Sequence, residues 1–113
     1  MRERLANRRA SMNFSFECNA LPYTATVSYF ADGRMAEIFI GNRRAGSHSD
    51  SAAKDSAVVC SIALQFGVPL DVIRHALLRD ARGVASSPLG VALDILAGDG
   101  AHHDPKTAEE RSP

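Results

Sequence analysis

With 113 residues, 45% of them hydrophobic, the chain has material for one domain with one modest core and no room for a large catalytic barrel. Thirteen basic and thirteen acidic side chains cancel, which argues against bulk attraction to nucleic acid or to an anionic membrane. No apolar run reaches the length of a bilayer-spanning helix and no secretory leader pattern opens the chain, so a cytoplasmic location is expected.

Residues 1–11 carry Arg2, Arg4, Arg8 and Arg9 against Glu3 and show no apolar period, so they are expected to form a basic arm, mobile or peripheral. The folded domain is expected over residues 12–98. From Phe14 the chain alternates, with Phe14, Phe16 and Cys18 on one face and Ser15 and Glu17 on the other, as a half-buried strand requires. A second strand is read from Tyr23 to Phe30. Asp32-Gly33 then marks a hairpin whose two central residues take positive φ. The returning strand is read from Met35 to Ile40, with Ile38 and Ile40 on one face and Glu37 and Phe39 on the other. The fold class expected is α+β, a three-stranded antiparallel meander followed by three helices packed on it.

Gly41 to Asp50 reads as a polar connection, with Ser49, Asp50 or Ser51 as the cap of a long helix ending near Phe66. Val58, Val59, Ile62, Ala63 and Phe66 recur at helical spacing and are read as its buried stripe. Gly67 suits the left-handed residue that ends a helix, and Pro69 the first turn of the next one. That second helix is read to about Arg79, with Leu70, Ile73, Ala76 and Leu77 inward. Ala81 to Ser87 is a loop, and Ser87-Pro88 opens a third helix through Leu96, closed by Gly98-Asp99-Gly100. Leu89, Val91, Ala92, Leu93, Ile95 and Leu96 leave that helix apolar on more than one face, which fits a central helix or a dimer contact. Residues 99–113 are small, charged or proline-flanked and are expected to be a disordered tail.

This order of elements resembles the TSCPD family, a small domain at the C-terminus of cobalamin-dependent ribonucleotide reductases that also occurs as short stand-alone bacterial proteins. The residues that carry the resemblance are Asp32-Gly33-Arg34 with Glu37-Ile38-Phe39, Gly46, Ser61-Ile62-Ala63-Leu64-Gln65-Phe66-Gly67-Val68, and Ser87-Pro88-Leu89-Gly90. They span roughly residues 14–97. Asn7-Arg8-Arg9 is likewise similar to the stand-alone members, which makes Met1 the expected start. The resemblance implies a role in deoxyribonucleotide synthesis, a reductase catalytic subunit as partner, and cobalamin only through that reductase, with no cofactor bound by this chain alone. It has one clear departure: the Thr-Ser-Cys-Pro-Asp run that names the family reads Ala85-Ser86-Ser87-Pro88-Leu89 here. No thiol and no carboxylate stand at that turn, so neither metal nor redox chemistry is expected of it.

A reductase needs a radical-forming cysteine, a reducing cysteine pair and a nearby carboxylate, and Cys18 and Cys60 are too few and too far apart to supply them. Both are read as small core residues. His102-His103-Asp104 is read as part of a solvated tail and not as a metal site, because adjacent ligands in a flexible segment lack a selective spacing. Two binding readings remain. Arg43, Arg44, Ser47 and His48 precede a helix, where backbone amides, the helix dipole and two guanidinium groups would receive a phosphate or carboxylate such as a nucleotide effector. Alternatively, the helix, glycine turn and second helix form a DNA-reading helix-turn-helix using Arg74, His75 and Arg79, with the basic arm in an adjacent groove. Asp71 and the neutral domain weigh against that alternative. A third reading completes the hairpin edge or the third helix with another chain, a second copy included.

Overall fold

In the computed structural model, which describes residues 1–44 and 46–98, alternation builds a three-stranded antiparallel sheet in the order β1-β2-β3. The strands are β1 (Ser11–Cys18), β2 (Leu21–Tyr29) and β3 (Met35–Asn42). Phe14, Phe16 and Cys18, then Tyr23, Ala25 and Val27, then Ala36, Ile38 and Ile40 all turn to one face and are buried. Three helices follow: α1 (His48–Gln65) lies against β3, α3 (Pro88–Leu96) against β1, and α2 (Leu70–Ala76) against α3. The expected fold class is therefore the observed one. The arm lies against the domain as a peripheral extension: Glu3 N donates to Gln65 O, Arg2 bonds the Gln65 side chain, and Arg9 pairs with Glu37 at 2.8 Å. The tail expectations, His102-His103-Asp104 and the closing Asp99-Gly100 among them, lie outside the described residues.

The turns differ from the expectation in an instructive way. The two-residue turn with both residues left-handed joins β1 to β2, at Asn19 (φ 53°) and Ala20 (φ 64°). At the second hairpin only Gly33 has positive φ; the loop closes through Gly33 N to Phe30 O, and the register shifts at Ser28 and Tyr29. Asp32 instead accepts from the Arg34 amide and guanidinium, an Asx-type turn. Ala20 thus carries a left-handed backbone without the freedom of glycine, at a cost of about 1–2 kcal/mol. Glycine there gives back about 0.4–1 kcal/mol through the unfolded chain, so the sign favours replacement. Ala20→Gly is expected to raise stability by about 0.5–1 kcal/mol, read as a higher urea midpoint at unchanged slope.

Helix α1 buries a face that hydrophobic periodicity does not single out. Its inner residues are Ala53, Ala57, Cys60, Ser61, Leu64 and Gln65, whereas Val58, Val59, Ile62 and Phe66 of the expected stripe are exposed. The reason is its neighbour. Rather than lying over an apolar sheet surface alone, α1 runs beside the outer edge of β3, where small residues permit close approach and polar ones meet the strand's backbone. Ser61 Oγ accepts from Ile38 N and lies 2.9 Å from Ile38 O, Gln65 Nε2 donates to Ala36 O, and Asp50 accepts from Asn42 N. An edge that would otherwise template pairing with another chain is thereby closed by side chains.

The end of α1 follows the sequence reading. Gly67 (φ 93°) donates to Leu64 O and Val68 to Ala63 O, the paired bonds of a Schellman cap. Helix α2 is shorter than expected, ending at Ala76, and Ala76 is exposed while Leu70, Ile73 and Leu77 are half-buried. Helix α3 begins as expected, with Ser87 Oγ accepting from Gly90 N and Pro88 in the first turn. It packs against α1, α2 and β1 with Leu89, Ala92, Leu93 and Ile95 buried, which makes it the central helix of the domain. A Cβ on Gly90 would stand 2.9 Å from that of Ala85, so the glycine is what lets α3 sit against the preceding loop.

Candidate functional site

The connection between β3 and α1 is organised by a carboxylate of its own. Ser47 caps α1, its Oγ accepting from Asp50 N, so the cap lies two residues before the first of those expected. Asp50 is fully buried and accepts from the amides of Asn42 and Gly46 at 2.9 and 3.0 Å and from Lys54 at 2.8 Å. The Lys54 hydrogen bond, reinforced by the two amides, holds this carboxyl down to about 2 from an ordinary 3.8. Because the native group takes up its proton only at a lower pH than the unfolded chain does, its stabilising effect is complete above about pH 4 and is lost as pH falls toward 2. Asp50→Asn is expected to flatten the stability profile over that interval, as followed by thermal melts between pH 2 and 5; an unchanged acid limb would refute the assignment.

Arg43 and Arg44 extend from this loop into solvent, and His48 is exposed at the first residue of α1. Arg44 N bonds the Asn42 side chain, Ser47 is engaged as the cap, and Arg43 alone turns to the open face of the sheet. There it lines a groove of about 690 Å³. The floor is made by the cross-strand pairs Ser15–Thr24 and Thr26–Phe39, and one wall by Lys54 and Val58 of α1. Phe39 is 49% exposed. Its outward placement was readable from alternation, but its grouping with Thr26, Val58 and Arg43 depends on strand register and on α1 lying at the β3 edge.

The residues of the alternative reading are occupied elsewhere. Arg79 grips Asp94 of α3 with two bonds of 2.8 and 2.7 Å, and Arg74 reaches the same carboxylate at 3.4 Å. The Arg79 hydrogen bonds hold the Asp94 carboxyl below its usual range. These guanidinium groups tie α2 and the following turn to α3, while His75 stays exposed. Both cysteines are buried and unpaired; burial pushes the Cys60 thiol up to about 11 and raises that of Cys18. Thiolate chemistry is disfavoured at both. Among the described residues, no group of three or more His, Cys, Asp or Glu side chains is placed to hold a metal, and no helix is long and apolar enough to cross a membrane.

Fold and groove together define a small α+β domain whose polar sequence signatures hold a helix to a strand edge and whose open sheet face carries an aromatic and a cation. Known proteins similar to it are much longer. A vitamin B12-dependent ribonucleotide reductase of Rhodopirellula baltica is 36% identical over 72 residues, covering 64% of this chain and 7% of the reductase. A vitamin B12-dependent ribonucleotide reductase of Agrobacterium fabrum is 33% identical over 70 residues, covering 62% and 6%. The chain thus matches less than a tenth of the length of these relatives, and it is related to a segment of them. No family model matches the chain. No solved structure matches it.

Proposed function

We propose that this protein is a non-catalytic accessory module of the TSCPD type, serving deoxyribonucleotide synthesis by docking on the catalytic subunit of a B12-dependent ribonucleotide reductase. The observation that carries this reading is the similarity of about two thirds of the chain to a stretch that makes up only 6–7% of each reductase. A segment of that size, with both of its cysteines in the core, is suited to contact rather than to radical chemistry. Cobalamin would then belong to the partner. In a long reductase such a segment is continuous with the rest of the enzyme, so part of its surface faces protein; here Val59, Ile62 and Phe66, 67, 37 and 55% exposed, form an apolar ridge on α1 suited to the same contact. The test is binding of the purified chain to the purified reductase catalytic subunit by analytical ultracentrifugation. A complex weakened at least tenfold by Ile62→Glu or Phe66→Glu, with the melting temperature retained, is the expected result. Absence of a complex at tens of micromolar, or binding indifferent to both substitutions, would overturn it.

A further inference from the structure

We propose that the groove on the open face of the sheet binds a nucleoside phosphate, with the base on Phe39 and the phosphate at Arg43. Phe39 sits in the middle of β3, on the side away from the helices, and nearly half of it is exposed. A large aromatic ring left on a solvent-facing sheet surface is a stacking platform, since every base offers a π-face to it. Opposite it in register stands Thr26, with Thr24 two residues on, so hydroxyl groups flank the ring where the edges of a stacked base would lie. Val58 supplies a second apolar contact from α1. The volume of about 690 Å³ is within the range that encloses ligands of this size.

Charge decides what the rest of the ligand is. Two cations reach the groove, but Lys54 is bonded to the buried Asp50 and its charge is matched there. Arg43 has no ion pair among the described residues and stands at the end of β3, beyond Phe39 in the chain. One unmatched guanidinium suits one phosphate group. It does not suit a single strand of nucleic acid, whose backbone calls for a basic track along the groove, and the chain as a whole carries no net charge. This inference stands on the groove and not on the similarity to reductases: nucleotide binding with no reductase complex, or the reverse, would separate the two.

The test is titration of the ¹⁵N-labelled full chain with ATP, with adenosine, inorganic tripolyphosphate and a twelve-nucleotide oligothymidylate as comparison ligands. ATP is expected to bind, with amide shifts centred on Thr24, Thr26, Phe39 and Arg43. Phe39→Ala should weaken ATP at least tenfold, with Phe39→Leu as a second variant in case the first is unstable. Arg43→Ala should weaken ATP about fivefold while leaving adenosine nearly unchanged. No shifts with millimolar ATP, shifts centred elsewhere, tripolyphosphate binding as tightly as ATP, or preferential salt-sensitive binding of the oligonucleotide would each overturn the proposal.

Discussion

Ser61→Ala is expected to destabilise the protein by about 2 kcal/mol, and Ser61→Ala with Gln65→Ala by about 4, because each leaves a buried backbone group without its partner. Ser61 is buried and its hydroxyl accepts from Ile38 N, in the middle of a strand edge that α1 covers, with its one proton shared between Ile38 O and Ala57 O, each at 2.9 Å. Water is excluded from that seam, so the alanine variant does not exchange one bond for another; the Ile38 amide is simply desolvated. Gln65 adds a second fastening four residues on, at Ala36 O, and also receives the arm through Arg2. Because each residue fastens a different backbone group of the strand, Ile38 for Ser61 and Ala36 for Gln65, the figure for the double variant is the sum of two equal losses, and a departure from it in a double-mutant cycle would measure their coupling. Urea unfolding gives the magnitudes, and hydrogen exchange at the Ile38 amide gives the location. A loss below about 0.5 kcal/mol in Ser61→Ala, the range of an ordinary surface change, would mean that α1 does not close the β3 edge.

This seam also marks where the sequence was legible and where it was not. Alternation placed Phe14, Phe16, Cys18, Ile38 and Ile40 on the correct face, since a strand half-covered by helices must alternate. The same logic applied to α1 selected the wrong side. A helix that covers a strand edge needs small and hydrogen-bonding residues inward, and Ala57, Ser61 and Gln65 do not register in a search for apolar recurrence. The Ser61 to Gly67 run that carried the family resemblance is thereby explained in part: Ser61 and Gln65 fasten the edge, and Gly67 ends the helix. Turn chemistry misled for a related reason. Asp32-Gly33 has the stronger hairpin signature, yet a longer loop with one left-handed residue forms there, and the tight turn falls on Asn19-Ala20, where alanine gives no warning. For the groove, Arg43 was a candidate through its loop, whereas Phe39 was placed only on the outward face of its strand, opposite Ile38 and Ile40, and was not marked as a site residue. Their convergence needed the register between strands, which no local pattern encodes.

The sharpest test of this burial pattern compares two apolar truncations on neighbouring helices. Leu93→Ala is expected to cost about 3–4 kcal/mol, because Leu93 is completely buried at the centre of α3 and the surrounding side chains cannot collapse fully into the space it leaves. Val59→Ala, on the stripe that periodicity alone would bury, is expected to change stability by less than about 0.5 kcal/mol, since Val59 is 67% exposed and alanine gains helix propensity. Both substitutions remove only apolar atoms from a helix, so a difference of several-fold between them measures position rather than chemistry. Comparable losses at the two sites would place α1 the other way round, with its apolar ridge inward, and would remove both the closed β3 edge and the surface offered to a partner. A neutral Val59→Ala in the isolated chain that nonetheless weakens the reductase complex would assign that ridge to contact, because an apolar side chain without a folding role has then been shown to have a binding one.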